Sequence, residues 1–207
     1  MPNWCNNNLT LEHEDPAMIQ RAFDALERGE FLNEFIPVPE QLKIVAGSVG
    51  DPVEQKKLEE DTARNLKELG YGNWYDYCVG EWGTKWDCGE QGASDIHPGG
   101  RMLHTFFDTA WSPPVAAYEK LEQLGFKVEA MFYEPGMAFA GTYSEGCCDD
   151  ISLEDMSADD IERDYPELDE CFGISESIRE YEAENMEELT EWIKDGAEKK
   201  AELKVAE

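Results

Sequence analysis

The chain has 207 residues and sets 47 Asp and Glu against 17 Lys and Arg, a formal net charge of −30. Charge of this size and sign argues against phosphate backbones or anionic membranes as partners, because both need a local positive field. It favours cations, basic proteins, or enzymes whose grooves are built to hold nucleic acid. Hydrophobic residues make up 41% of the chain, with six Trp, eight Tyr and nine Phe, so a folded core is expected rather than an acidic disordered chain.

Asn8-Leu9-Thr10-Leu11-Glu12 alternates polar and apolar and predicts a first strand. Asp15 caps a helix with Pro16 in its first turn and Ile19, Ala22, Phe23 and Leu26 at helical spacing, and Gly29 ends it. Phe31 to Pro39 is apolar and punctuated by proline, the pattern of an extended packed loop. Asp51-Pro52 opens a long amphipathic helix through Val53, Leu58, Ala63, Leu66 and Leu69, closed by Gly70. Asn73 to Asp87 holds three tryptophans, with Gly80 and Gly83 between a short helical turn and a strand near Thr84–Asp87. Met102 to Ala110 predicts a strand, and Ser112-Pro113-Pro114 a helix start with Val115, Tyr118, Leu121 and Leu124 on one face. Phe126 to Tyr133 and Met137 to Tyr143 predict a strand pair joined by Glu134-Pro135-Gly136.

This order is an α+β, ferredoxin-like plan: an antiparallel sheet with helices on one face, over residues 1–146, and a helical insertion near 30–100. Residues 147–207 are expected to form an acidic helical appendix. From residue 145 onward there are 23 acids and 6 bases, net −17, against −13 for residues 1–144. Ser157-x-x-Asp160 and Ser177-x-x-Glu180 match capping boxes, with Pro166 ending the first helix. Ile178, Tyr181, Met186, Leu189, Trp192 and Ile193 give the second helix an apolar stripe, with fraying expected after Gly196.

Within the appendix, Asp149-Asp150, Glu154-Asp155, Asp159-Asp160, Asp164 and Asp169-Glu170 recur every five residues, and Glu187 and Glu188 extend the set. Carboxylates at this density can imitate a duplex, which presents one charge per roughly 1.7 Å. A five-residue period advances about 500° on a helix, so display has to run through caps, turns and several helix starts. The plain alternatives are a solvated surface with acids at helix N-termini and the high charge of a salt-adapted protein.

No catalytic constellation stands out: there is no G-x-S-x-G, no H-E-x-x-H and no phosphate-binding glycine loop, and His13, His97 and His104 are the only histidines. Neither a metal nor a cofactor is expected. No EF-hand loop is present, and Cys78, Cys88, His97 and His104 lack zinc-knuckle spacing. Cys147 and Cys148 lie near acids, which disfavours the thiolate. The start Met1-Pro2-Asn3-Trp4-Cys5 has no leader pattern and no apolar run reaches membrane-spanning length, so a soluble cytoplasmic protein with reduced thiols is expected. Trp74, Trp82 and Trp86 are candidates for an aromatic ligand pocket, with core packing as the competing reading.

Met1 to Leu9 (M-P-N-W-C-x-N-x-L) and Asn73 to Asp87 (N-W-Y-D-Y-C-V-x-x-W-G-T-K-W-D) resemble the YubB ferredoxin-like domain family, carried by bacteriophages and conjugative plasmids. The likeness covers residues 1–144 and leaves the acidic appendix unmatched. It implies a ferredoxin-like fold, a mobile-element origin and a host bacterial cytoplasm, and by analogy of genetic setting a counter-defence role. It carries over no catalytic residue. The functional expectation is an acidic protein that binds and inhibits a host nucleic-acid-binding defence or repair protein, without binding nucleic acid itself. The alternative is a small-molecule or nucleotide-binding module using the aromatic pocket.

Overall fold

Every second residue of Trp4–Glu12 is buried, and this strand, β1, is the centre of the sheet. The computed structural model describes residues 3–89, 92, 94–186 and 192. Its elements are β1, α1 (Pro16–Glu27), α2 (Phe31–Phe35), a 3-10 turn (Glu40–Leu42), α3 (Pro52–Leu69), α4 (Trp74–Glu81), β2 (Asp95–Ile96), β3 (Met102–Ala110), α5 (Val115–Gln123), β4 (Lys127–Glu134), β5 (Phe139–Ser144), β6 (Cys147–Ser152), α6 (Ala158–Asp164) and α7 (Pro166–Phe172). A further helix runs over 174–186. The chain divides into two compact units, Met1–Leu153 and Glu154–Glu207.

In the first unit the antiparallel sheet has the order β2-β3-β1-β4-β5-β6. β1 pairs with β3 from Trp4↔Ala110 to Glu12↔Met102, and with β4 from Asn6↔Tyr133 to Glu12↔Lys127. Two split β-α-β units result: β1-α1-β2 straddles β3, and β3-α5-β4 straddles β1. That interleaving is the ferredoxin-like arrangement, extended past β4 by β5 and β6. The protein is therefore α+β, as its strand and helix order suggested. No helix among the described residues is long and apolar enough to cross a membrane.

Odd positions of β1 and β3 point into the core, where Leu9, Leu11, Leu103 and Phe107 meet Ile19, Ala22 and Leu26 of α1 and Ala117, Tyr118 and Leu121 of α5. Even positions form a partly exposed face carrying Trp4, Asn6, Asn8, His104, Phe106 and Asp108. Asn7 is a polar group on the buried side. Its amide donates to the Cys5 and Phe107 carbonyls and to Thr109 Oγ1, and its oxygen accepts from Tyr118 Oη at 3.3 Å. Full pairing makes such a group tolerable in a core.

Several expected elements differ. Residues 31–35 are helical, not extended, because Asp87 accepts the Leu32 and Asn33 N–H groups at 2.8 Å each and so caps α2 from a distant position. The strand expected near Thr84–Asp87 is absent; those residues bend around the end of β3. The apolar side of α3 faces water at Val53, Leu66 and Leu69, since the helix is anchored by Asn65 donating to the Gln41 and Gly72 carbonyls. Cys147–Ser152 is a sheet strand, so the boundary placed at 146/147 falls at 153/154. In the second unit Pro166 ends α6 and also starts α7. The last helix begins at 174, before the Ser177 box, because Asp169 accepts the Ser175 N–H at 2.7 Å. Leu189, Ile193 and the region after Gly196 lie outside the described residues.

Asp87 accepts from Leu32, Asn33 and Cys88, and burial pushes its carboxyl above the usual carboxylate range. Asp87→Ala leaves three donors without their acceptor and should lower stability by about 2–3 kcal/mol. Asp87→Asn should lose roughly half as much. Urea unfolding of the two variants checks both figures.

Candidate functional site

Three tryptophans from distant parts of the chain meet at one end of the sheet. Trp4 opens β1 on the partly exposed face and pairs with Ala110, which ends β3, so the next residue, Trp111, lies beside it. The Trp111 N–H donates to the Asn3 carbonyl at 3.0 Å, and its φ is +71°. A left-handed backbone costs a bulky residue about 1–2 kcal/mol, and such strain concentrates at functional sites.

Trp86 is delivered by a segment fixed at both ends. Thr84 is buried and donates to the Ala110 carbonyl at 3.0 Å, while Ser112 Oγ donates to the Gly83 carbonyl at 2.7 Å. Gly83 itself has φ +86°, and a Cβ there would meet the Val115 nitrogen at 3.2 Å, so only glycine suits the bend. On the far side Asp87 holds the backbone as described. Between these anchors Lys85 and Trp86 turn outward.

The Trp4 and Trp86 ring centroids are 6.2 Å apart, and Trp86 stacks on Trp111 at 6.5 Å and 25°. Each ring is about two-fifths exposed: 40% for Trp4, 39% for Trp86 and 42% for Trp111. The half-buried Lys85 places its ammonium 4.3 Å from the Trp86 centroid, 5.2 Å from Trp111 and 5.8 Å from Tyr75. Among the described residues no carboxylate forms an ion pair with it. The group combines an aromatic surface with one positive charge, a composition suited to stacking and anion contact.

The pocket expected from Trp74, Trp82 and Trp86 is not assembled. Trp82 is 4% exposed and donates its indole N–H to the Ile36 carbonyl, so it belongs to the core. Trp74 packs partly buried against that core, edge-on to Tyr75 at 6.0 Å. Trp86 alone reaches the surface group. Trp4 was visible in the N-terminal motif, but nothing local marks Trp111, which depends on a strand register linking residues over a hundred positions apart.

The acidic candidates separate into two kinds. In the first unit, Asp149 and Asp150 lie exposed on β6, opposite Thr142 and Gly141, with no lysine or arginine at ion-pair distance among the described residues. In the second unit many acids are engaged internally. Asp159 pairs with Arg179 at 3.1 Å, and Asp164 with Arg163 at 2.7 Å. Asp160 closes the Ser157 capping box and pairs with Arg163 at 2.7 Å. Asp169 accepts from Ser175 N and Oγ. Glu154, Asp155 and Glu170 are exposed, whereas Glu187 and Glu188 lie outside the described residues.

The thiols are poorly placed for nucleophilic work. Burial pushes Cys5 and Cys78 up to about 12 and Cys88 well above its ordinary value. Partial burial and the neighbouring Asp150 and Asp149 raise Cys148. Glu81 of α4 is held low by Lys120 of α5, an ion pair that joins the two helices, and by the Tyr71 hydroxyl.

No family model matches the chain, and no curated protein matches it. A crystal structure of the protein api92 from Yersinia pseudotuberculosis, assigned to the family DUF1281, is similar at a TM-score of 0.40 and 11% identity. The similarity covers 73% of this chain and 98% of that one.

Asp160 gives a pH test of the capping box. The Ser157 hydroxyl and N–H together with Arg163 hold its carboxyl at about 2, below its ordinary 3.8. Because the folded value is depressed, its contribution is present above about pH 4 and is lost as the pH falls towards 2. Asp160→Asn should reduce helical circular dichroism and thermal stability at pH 7, and its difference from the parent protein should vanish near pH 2.

Proposed function

We propose that this protein binds the basic surface of a nucleic-acid-binding host protein and blocks it, by presenting carboxylates where phosphates would otherwise sit. The observation that supports the reading is the exposed Asp149–Asp150 pair on β6, which has no basic residue within ion-pair distance among the described residues. β6 ends the sheet, and an edge strand carries backbone donors and acceptors as well as side chains, so a partner can meet charge and hydrogen bonds together. The net charge of −30 supplies the long-range attraction, which raises the association rate more than the final affinity.

The internal engagements narrow the imitation surface. Asp159, Asp160, Asp164 and Asp169 already face arginines or serve as caps, so they are poor surrogates for free phosphate. Asp149 and Asp150 in the first unit, and Asp155 and Glu170 in the second, are better placed to meet a partner's lysines and arginines. The two motifs that resemble the YubB family belong to the same reading. A phage or plasmid origin makes a host defence or repair protein the natural target, held in the host cytoplasm.

A target captured from host lysate should bind with an affinity that falls at least tenfold between roughly 50 and 200 mM salt, as expected when several ionic contacts are screened. Asp149→Lys with Asp150→Lys should weaken binding about tenfold, and duplex DNA should compete for the target. Calorimetry at two salt concentrations reads both effects. Affinity independent of salt would rule out phosphate imitation.

A further inference from the structure

We infer that Trp4, Trp86, Trp111 and Lys85 form a binding site for a small planar aromatic anion of the nucleoside monophosphate class, separate from the carboxylates of β6. The ring of such a ligand stacks on the exposed indole faces, and its phosphate meets the Lys85 ammonium.

Three features carry the assignment. The indoles form one connected surface, with centroids 6.2 and 6.5 Å apart, yet each stays about two-fifths open to solvent. Indoles present flat faces that stack on any nucleobase, and three of them gather here with neighbouring centroids 6.2 and 6.5 Å apart. Lys85 supplies the second feature. In a chain with 47 acids and 17 bases, its ammonium sits over indole rings instead of a carboxylate among the described residues. A ring quadrupole attracts that charge without neutralising it, so the ammonium keeps its capacity for an anion. The third feature is rigidity. Gly83, Thr84 and Asp87 fix the segment bearing Lys85 and Trp86, and the Trp111 N–H is tied to Asn3. A platform held in place in this way loses little freedom when a ligand arrives.

Charge selects the size of the ligand. A field of −30 repels a nucleic acid strand, whose many phosphates would have to pass along an acidic surface. A single phosphate needs only the one ammonium. A cationic ligand is disfavoured because the Lys85 ammonium beside the rings repels it.

Isothermal titration of the intact protein with adenosine 5′-monophosphate, adenosine and inorganic phosphate tests the site. Adenosine monophosphate should bind saturably, and about tenfold more tightly than adenosine. Lys85→Met should bring its affinity down to that of adenosine while leaving adenosine unchanged, and Lys85→Arg should retain most of the difference. Trp86→Ala should abolish binding of both, with an unchanged circular dichroism spectrum showing that the fold survives. The idea fails if adenosine monophosphate gives no saturable heat up to millimolar concentration, or if Lys85→Met leaves its affinity intact. It fails equally if oligothymidylate binds more tightly than the mononucleotide. Asp149→Lys with Asp150→Lys should leave nucleotide binding unchanged, so the outcome is independent of the basic-partner reading.

Discussion

The structure depends on β1 being paired along both of its edges. Its N–H and C=O groups are satisfied on one side by β3 and on the other by β4, so its register fixes both neighbours at once. A slip of one residue would turn Leu9 and Leu11 out of the core and Asn8 and Thr10 into it. Asn7 adds a further constraint from inside. Its amide reaches Cys5, Phe107 and Thr109 while its oxygen faces Tyr118, so β1, β3 and α5 are locked by one buried polar group. An apolar residue there would pack but would specify the register less sharply. The aromatic site inherits this register, because Trp111 lies beside Trp4 only when Trp4 faces Ala110.

Charge is handled differently in the two units. In the first, the acids that matter for folding are few and each has a distinct task. Asp15 and Asp51 cap helices whose first residue is proline, Asp87 caps α2 from far away, and Glu134 accepts the Gly136 and Met137 N–H groups in the β4–β5 turn. In the second unit the acids gather at the first turns of short helices, where peptide dipoles favour them. Arg163 and Arg179 each bridge two acids. The five-residue recurrence therefore runs through a strand (Asp149, Asp150), a turn (Glu154, Asp155) and two short helices. It does not mark one continuous stripe.

Legibility followed the range of the interactions involved. The helices opened by Asp15-Pro16 and Asp51-Pro52 were visible because capping is decided within three residues. β3 was visible because alternation is local as well, and the order of strands and helices was enough for the ferredoxin-like plan. What escaped was decided across the chain. α2 depends on a carboxylate over fifty positions away, and Thr84–Asp87 bends because its hydrogen bonds go to the end of β3 and to α2. Of the three tryptophans expected to form a pocket, composition could not tell that Trp82 spends its indole N–H on Ile36 inside the core. The surface cluster was half legible, through Trp4 and Trp86, and the third member is a product of register alone.

The two surfaces proposed for recognition in the first unit are electrostatically separable, and sheet geometry shows why. Asp149 lies opposite Thr142, which faces Met131, which faces Asn8, so it stands three strands from β1. At about 4.8 Å per strand this is roughly 14 Å across the sheet, and the four-residue step from Asn8 to Trp4 adds roughly 13 Å along it. The separation exceeds the Debye length of about 8 Å at physiological salt, so the β6 carboxylates contribute little to the potential at Lys85. Nearer acids matter more, and on the partly exposed face Asp108 is engaged by the Asn6 amide at 2.7 Å. A protein of net charge −30 can thus keep one cationic, aromatic cluster whose charge is opposite to that of the remaining surface. The condition is that Lys85 stays over the indole rings, which the fixed backbone on either side of it provides.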